Sequence, residues 1–381
     1  MTIKLYETDG HIKEFDAVVT ECELIEDNYL IQLDQTAFFP EGGGQMCDTG
    51  TINGIRITNV QTINGRIYHY GDKPLNTGDK IHGVVDWEKR FRNMQNHSGE
   101  HIFSGIINKL YGLDNIGFHL GEEDVTMDYS GILTKEQIKV AETMANNAVF
   151  ENIPIICEIP SEEILSSISY RSKLELTENV RIVTIPGYDV CACCAPHVKN
   201  TGEIGLIKII DSYRQNQHTR LRMLCGKDAL EYYRMLLSNI DGISQLLSSK
   251  HYNSYEATEI LLRNYNDCKQ QLISSNKKLA LAKADSVLNS DNNICLFENN
   301  LDNDTLRIIV NKLLEKTNKI SSAFSGDDVV GYNFISASNS VDLKETAINL
   351  RQKLAAKCGG SSTMIQGHIN STRTEIEAFF Y

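Results

Sequence analysis

Two short segments, His97-Ser98-Gly99-Glu100-His101 and Cys193-Cys194-Ala195-Pro196-His197, carry four side chains of metal-ligating type, and any fold for this chain has to account for both. Residues four apart share one face of a helix, so His97 and His101 can present two imidazoles to a single ion if the first segment is helical. Cys193 and His197 repeat that spacing roughly ninety residues later. Together they predict a tetrahedral zinc site assembled from two distant segments. A bare H-x-x-x-H carries little weight, because two histidines at helical spacing arise often by chance; the second pair supplies the weight. The C-x-x-x-H spacing selects Cys193 as the ligand, with Cys191 and Cys194 near enough to be alternatives.

A chain of 381 residues has room for two or three domains, and 41% hydrophobic with 23% charged residues is an ordinary folded composition. The segment Met1 to Gly10 has no apolar core of the secretory type, and no apolar run reaches membrane-spanning length. A cytoplasmic protein with no membrane partner is therefore expected. The ten cysteines are scattered apart from the group at 191–194, whose tight spacing fits metal or free thiols better than a disulfide framework. A net charge of -13 argues against a general nucleic-acid-binding surface, since phosphate neutralisation is the main sequence-independent source of such affinity. A local cationic group nonetheless surrounds the second motif: Lys173, Lys199, Lys208, Arg214, Arg220 and Arg222.

The fold class predicted is α+β. Residues 1–90 alternate short apolar runs with the turn signals Asn53-Gly54 and Asn64-Gly65, as in a small β-barrel or sandwich built from hairpins. From Trp87 the period becomes helical, with Phe91, Met94, Ile102, Ile106 and Leu110 on one face. Strands near 115–129 and 153–159 with a helix over 135–150 complete an α+β domain, 91–225, that holds the metal motifs in a cleft. In 226–290, Leu230, Tyr233, Leu237, Ile240 and Leu247, then Leu261, Tyr265, Cys268, Leu272 and Leu279, keep a spacing near 3.5 around a polar break, which predicts a helical coiled-coil hairpin acting as spacer or dimer seam. Residues 291–381 read as an α/β domain: a helix from 304, strands near 319–324 and 329–337, a helix over 343–356, a glycine-containing loop at Gly359-Gly360, and a final strand.

The neighbours of both metal pairs, Arg90 to Ile102 and Cys193 to Gly205, resemble the two metal motifs of the alanyl-tRNA synthetase editing domain. Upstream, Thr36-Ala37-Phe38-Phe39-Pro40-Glu41-Gly42-Gly43-Gly44-Gln45-Met46-Cys47-Asp48-Thr49-Gly50 resembles that family's glycine-rich motif, and the three motifs stand in the family's order. The resemblance covers residues 1 to about 225, and with no aminoacylation domain ahead of it points to the freestanding editing proteins in their long form. One departure is Cys191-Ala192-Cys193-Cys194-Ala195-Pro196, where the family more often has Cys-Gly-Gly-Thr or Cys-Gly-Gly-Pro. A weaker resemblance links the last ninety residues to the synthetase C-terminal domain and implies contact of Gly359 and Gly360 with the tRNA body.

The resemblance implies a zinc-dependent hydrolase that removes serine, with glycine as a second candidate, from mischarged tRNA(Ala) in trans. Zinc with an exchangeable position can polarise a carbonyl or generate hydroxide near neutral pH. Gly42, Gly43 and Gly44 would let the backbone approach the ligand, and Thr36 and Gln45 flank them as catalytic or recognition residues. A Thr36 hydroxyl would pair with the side chain of serine, whereas alanine would leave buried polar groups unpaired. Glu100 is a candidate general base, although on a helix it points about a hundred degrees away from His101, which fits a supporting or surface role equally well. Arg220 is a candidate tRNA contact. Two rivals remain: a non-catalytic tRNA-binding protein with structural zinc, and an H-x-x-E-H metalloprotease, which would want a carboxylate as third ligand. A homodimer through the helical or C-terminal region is a further expectation.

Overall fold

The structure, a computed structural model, describes residues 2–122, 125–172 and 180–381; Lys173 of the cationic group lies outside them. By internal contact the chain divides into two units, Met1–Asn239 and Ile240–Tyr381. Among the described residues no helix is long and apolar enough to cross a membrane.

The first unit begins with a closed barrel of six strands, Glu14–Ile25, Asn28–Leu33, Gly50–Ile52, Ile55–Ile63, Arg66–Gly71 and Lys80–Val85. Around the barrel they run first, second, fifth, fourth, third, sixth. Two of the tight turns are the Asn-Gly pairs: Asn53 and Gly54 have φ of 49° and 78°, Asn64 and Gly65 of 50° and 77°. Both central residues of such a turn need positive φ, the geometry whose twist matches the flanking strands. The strand Arg66–Gly71 alternates outward and inward, so Ile67, His69 and Gly71 face the interior. There His69 meets a core of Val19, Ile31, Leu33, Phe38, Ile57 and Val60.

The helix Trp87–Tyr111 follows the barrel and ends at Gly112 in the left-handed conformation, φ 64°. Its middle, from Asn93 to Ile107, is buried on nearly all sides. Such a helix is not a surface element with one apolar stripe; it is the centre of the unit. The expected apolar face holds as far as Ile106, but Leu110 in the last turn is 43% exposed. Two glycines allow the tight packing: a Cβ on Gly99 would stand 2.4 Å from Cys225 Sγ, and one on Gly105 would stand 2.4 Å from the Tyr188 carbonyl oxygen. Around this helix lie a four-stranded antiparallel sheet, ordered Ile207–Gln215, His218–Cys225, Val125–Tyr129, Asn115–Leu120, and the helix Lys135–Glu151. That second helix starts with a Thr134/Gln137 capping box. A three-stranded sheet, Ile156–Glu158, Ile182–Ile185 and Asp189–Ala192, delivers the chain to the second metal motif. Barrel and central helix are tied by a fully buried ion pair: Arg90 Nε donates to Asp48 Oδ1 at 3.0 Å, and Arg90 Nη1 donates to the Gly10 carbonyl at 2.9 Å. Asp48 belongs to the glycine-rich motif, so the first two motifs are joined by one salt bridge.

The helices Gly226–Leu246 and Ser254–Ser286 occupy the region expected to be a helical hairpin, with the break at 247–253. Leu261, Tyr265, Leu272 and Leu279 are more than half exposed, so their periodicity does not reflect burial within this chain. In the second unit the last turns of the second helix enter a core, where Ala280 and Ala284 pack with Leu306, Ile309, Val310 and Leu313. A five-stranded sheet is ordered Ile294–Glu298, Ser321–Asp327, Gly331–Ala337, Met364–Ile369, Lys357–Gly360, with only the first pair parallel. Helices Asn303–Leu314, Leu343–Leu354 and Arg373–Phe380 complete the unit. The edge strand at 294 and the last helix were not expected from the sequence. Gly359 and Gly360 also differ: they lie in the edge strand, not in a loop. Gly367, opposite Cys358 on the neighbouring strand, allows the close pairing, since a Cβ there would stand 2.2 Å from the Lys357 carbonyl oxygen.

Candidate metal centre

The central helix places His97 and His101 one turn apart, and the loop after Asp189–Ala192 brings Cys193 and His197 against them. One ligand atom from each of the four lies within 4.8 Å of all the others. Cys193 Sγ is 3.5 Å from His97 Nε2 and 3.4 Å from His197 Nε2. Donors at about 2.3 Å (sulfur) and about 2.0–2.1 Å (nitrogen) from a tetrahedral zinc stand about 3.5 Å apart, so this pocket of donors has the dimensions the ion needs.

The histidines are also aimed. His97 Nδ1 meets Gln45 Oε1 at 2.7 Å, His101 Nδ1 meets Asp189 Oδ2 at 3.0 Å, and His197 Nδ1 meets Ser98 Oγ at 3.0 Å. An oxygen acceptor on Nδ1 holds the proton there and leaves the Nε2 lone pair for a metal. Burial drives the His197 pKa well below its ordinary value, so it is neutral, the form that ligates. The same burial pushes the Cys193 thiol up, so ionising it in this setting calls for a cation.

Asp189 reaches His101 because Gly105, one helical turn beyond it, has no side chain: a Cβ there would stand 2.8 Å from Asp189 Cβ. Arg171 grips the same carboxylate at both oxygens, Nε to Oδ1 at 2.7 Å and Nη2 to Oδ2 at 2.8 Å. Hydrogen bonds from Arg171 and His101 hold the Asp189 carboxyl below its ordinary pKa despite burial, which opposes this. The ligand loop has its own clamp. Cys193 N–H donates to the Arg181 carbonyl at 3.0 Å, and Arg181 Nη1 donates back to the carbonyls of Cys193 at 2.8 Å and Ala195 at 2.9 Å. Of the alternative cysteines, Cys191 groups with His101 and Asp189 rather than with the other three donors, and Cys194 is exposed.

A cavity of about 290 Å³ adjoins the donors, lined among others by Gly42, Gly43, His97, Glu100, His101 and Phe118. Gly44, at φ 84°, sits so close to the strand Asn115–Leu120 that a Cβ would be 2.2 Å from the Phe118 carbonyl oxygen. The turn it makes, with Gly42 and Gln45 exchanging backbone hydrogen bonds, swings the Gln45 side chain onto His97. Gln45 is 1% exposed, and its Nε2 has no hydrogen-bond partner among the described residues. An orphaned amide donor beside the metal donors is a position that a ligand oxygen would satisfy.

Glu100 is not at the surface: it is buried in the cavity wall, with Oε1 accepting from Ser104 Oγ at 2.6 Å and from Asn115 Nδ2. Thr36 is fully buried, and its hydroxyl contacts His69 Nε2, one layer behind the residues that line the cavity. Arg220 is not part of the cavity lining; it makes a two-point pair with Asp128, both contacts at 2.7 Å, on the four-stranded sheet. Much of the cationic group is similarly paired, Lys199 with Asp9 at 3.0 Å and Lys208 with Glu142 at 2.7 Å. Asp189, Arg181 and His69 were not anticipated from the sequence. No local spacing marks them, because each acts on a partner distant along the chain.

Comparison with known proteins bears on the same segments. Residues 5–89 match the class II (A) tRNA synthetases, and residues 180–222 match the threonyl and alanyl tRNA synthetase second additional domain. The alanyl-tRNA editing protein AlaX-L of Pyrococcus horikoshii is 31% identical, over 71% of this chain and 70% of its own length. AlaX-M of Methanosarcina mazei is 36% identical over 64% of this chain and 100% of its own length. The alanyl-tRNA editing protein Aarsd1 of Danio rerio is 24% identical over 97% of this chain and 95% of its own length.

Proposed function

The chain belongs to the alanyl-tRNA editing proteins, and from that premise we propose that it hydrolyses mischarged tRNA(Ala) in trans, serine being the preferred aminoacyl group and glycine a slower one, with zinc held by His97, His101, Cys193 and His197. The observation that carries this reading is the convergence of four donor atoms beside an orphaned Gln45 amide in one cavity. When bound, zinc supplies Lewis-acid polarisation and activation of water. Gln45 Nε2 donates to the ester carbonyl oxygen as charge develops there, an oxyanion-type contact made by a group already desolvated and fixed by His97. Glu100, in the same wall, takes a proton from the attacking water and returns it to the ribose oxygen as the acyl C–O bond breaks.

Serine is selected on the barrel side of the cavity, where Thr36, outside the lining and bonded to His69, positions the wall that meets the aminoacyl side chain. The metalloprotease rival needs a carboxylate among the ligands. Asp189 instead contacts His101 at Nδ1, on the side of the ring facing away from Nε2 and the other donors. Gly359 and Gly360, with Lys353 and Lys357 nearby in sequence, provide the contact with the tRNA body, and the exposed Leu261, Tyr265 and Leu272 form the seam of a homodimer. The deciding experiment is deacylation of seryl-, glycyl- and alanyl-tRNA(Ala) by zinc-loaded and chelated protein. Rapid loss of serine only with zinc supports the reading; no hydrolysis with zinc bound would make this a tRNA-binding protein with a structural metal.

A further inference from the structure

A cleft of about 550 Å³ lies in the first unit at the start of the central helix, and it shares no lining residue with the metal cavity. Arg92 fixes its frame by joining three segments: Nε pairs with Asp228 Oδ2 at 2.7 Å, Nη1 donates to the Gly121 carbonyl at 3.0 Å, and Nη2 to the Glu122 carbonyl at 2.7 Å. Two looser pairs stand in the lining, Arg56 with Asp86 at 3.9 Å and Lys227 with Glu88 at 3.7 Å. The cleft backs onto the metal cavity through two elements. Asn93 stands one helical turn before His97, and Leu120 N–H donates to the Gly44 carbonyl at 2.8 Å, beside Gln45.

Four side chains of the lining are left over. Asn93 is 1% exposed, yet its Nδ2 has no hydrogen-bond partner among the described residues, while its Oδ1 is 3.5 Å from Arg92 Nη1. A buried amide donor left idle costs free energy that an acceptor would recover. Lys89, one turn earlier on the same helix, makes no hydrogen bond or ion pair among the described residues. The positive end of the helix dipole adds to the pull of these two donors on an anion. Glu122 and Glu231 are the other two: their carboxylates make no ion pair among the described residues. Because the acidic residues of the lining outnumber the basic ones, phosphate or a nucleic acid would be repelled as a whole, whereas a zwitterion is matched at both ends. Met46 and Leu120 add an apolar surface between them. We propose that this cleft is a second ligand site, for a free α-amino acid, whose carboxylate meets Asn93 Nδ2 and Lys89 and whose ammonium meets Glu122 and Glu231. The site goes beyond the deacylase reading and stands without it, although an amino acid is also what that reaction would release.

The test is calorimetric titration of the full-length, zinc-loaded protein with L-serine as probe, for wild type, Lys89→Ala and Asn93→Leu, with zinc content checked in each. Saturable binding by wild type, weakened roughly tenfold or more in each variant, is the expected result, since each loses a hydrogen bond to a charged group. Lys89→Ala alters a half-buried side chain and carries the test alone should Asn93→Leu fold poorly. L-serinamide, which lacks the carboxylate, and N-acetyl-L-serine, which lacks the ammonium, should each bind wild type more weakly than serine by a similar factor. Absence of binding by wild type overturns the proposal. So does equal binding by all three proteins, the result that serine held only at the metal donors would give. Serinamide binding as tightly as serine, or inorganic phosphate displacing serine at equal concentration, would also overturn it, by showing a site for one charge only. Serine binding that depends on Lys89 and Asn93 in a protein that deacylates nothing would overturn the deacylase reading and leave the cleft assignment standing.

Discussion

Thr36 Oγ1 lies 2.8 Å from His69 Nε2 inside the barrel, and both side chains are wholly buried. The Ile31 carbonyl takes the His69 Nδ1 proton at 2.9 Å, so Nε2 is an acceptor and the threonine hydrogen must point at it. Phe38 N–H occupies one lone pair of the hydroxyl oxygen at 3.1 Å. What Thr36 has left is one lone pair. It can therefore accept a hydrogen from another hydroxyl but cannot donate one.

Thr36→Val keeps the shape and deletes the oxygen. The Ser/Ala ratio of deacylation rates should narrow by up to about 1–3 kcal/mol of discrimination, and the variant should lose stability by a similar amount because His69 Nε2 and Phe38 N–H are both left without a partner. A wild-type protein that hydrolyses seryl- and alanyl-tRNA(Ala) at equal rates would contradict the role assigned to Thr36.

His69 gives a pH prediction. Complete desolvation lowers its pKa from 6.5 to about 4, against its hydrogen bond to the Ile31 carbonyl, which raises it. Between those two values the unfolded chain binds a proton that the folded one refuses, so stability is full above 6.5 and falls as pH drops towards 4. The loss from this residue reaches at most about 3 kcal/mol. Urea melts between pH 7 and pH 4 should show a shallower acid slope in His69→Gln than in wild type; equal slopes would mean His69 does not titrate as its burial requires.

Purified protein should carry about one zinc per chain. Elemental analysis of Cys193→Ser and His101→Ala should show it lost, while Cys194→Ser, altering an exposed side chain, should retain it. Undiminished zinc in the first two variants would remove the basis of the metal assignment.

Asp189→Asn should keep the fold of the turn but weaken zinc binding roughly 10–100-fold, because the carboxylate that orients and polarises His101 becomes a neutral amide. Chelator competition measures this directly. An unchanged affinity would reduce Asp189 to a partner for Arg171 alone.

Truncation should separate the two units, and the structure says where to cut. Ala280 and Ala284 belong to the C-terminal core, so a break after Leu288 would strip a helix from one unit and leave it exposed on the other. A cut after Asn239, where the two units divide, leaves the C-terminal core whole and ends the chain within the helix Gly226–Leu246. A protein ending there should hold zinc and act on an acceptor-stem minihelix, yet show a raised KM on whole tRNA; identical KM values would make the second unit an element of stability or assembly.

What the sequence made legible was local. The i, i+4 histidines, the C-x-x-x-H pair and the two Asn-Gly turns each follow from backbone geometry over a few residues, and each is visible without a fold. The second layer is not local: Asp189 lies 88 positions from His101, and His69 lies 33 from Thr36. No spacing rule reaches that far. Glu100 shows the converse limit. About a hundred degrees from His101 on the helix by its spacing, it is still inside, because a helix buried all round has no surface side. The last helix, Arg373–Phe380, did have a signal, the Thr372 and Glu375 of a capping box, which the strand pattern before it obscured.

The four donors come from two segments separated by 96 positions, and the chain between them passes through the four-stranded sheet and the strand that ends at Ala192. No short peptide from this protein can therefore reproduce the site. A metal bound there acts as a cross-link closing a loop of that length, and its binding energy becomes folding energy. Chelation should thus lower the unfolding temperature of the first unit and leave that of the second alone. On the proposed zinc-dependent reading, catalytic competence becomes a sign that the protein has itself been assembled correctly: a chain that has not brought its distant halves together would hold no metal, and so have no means of cleaving anything.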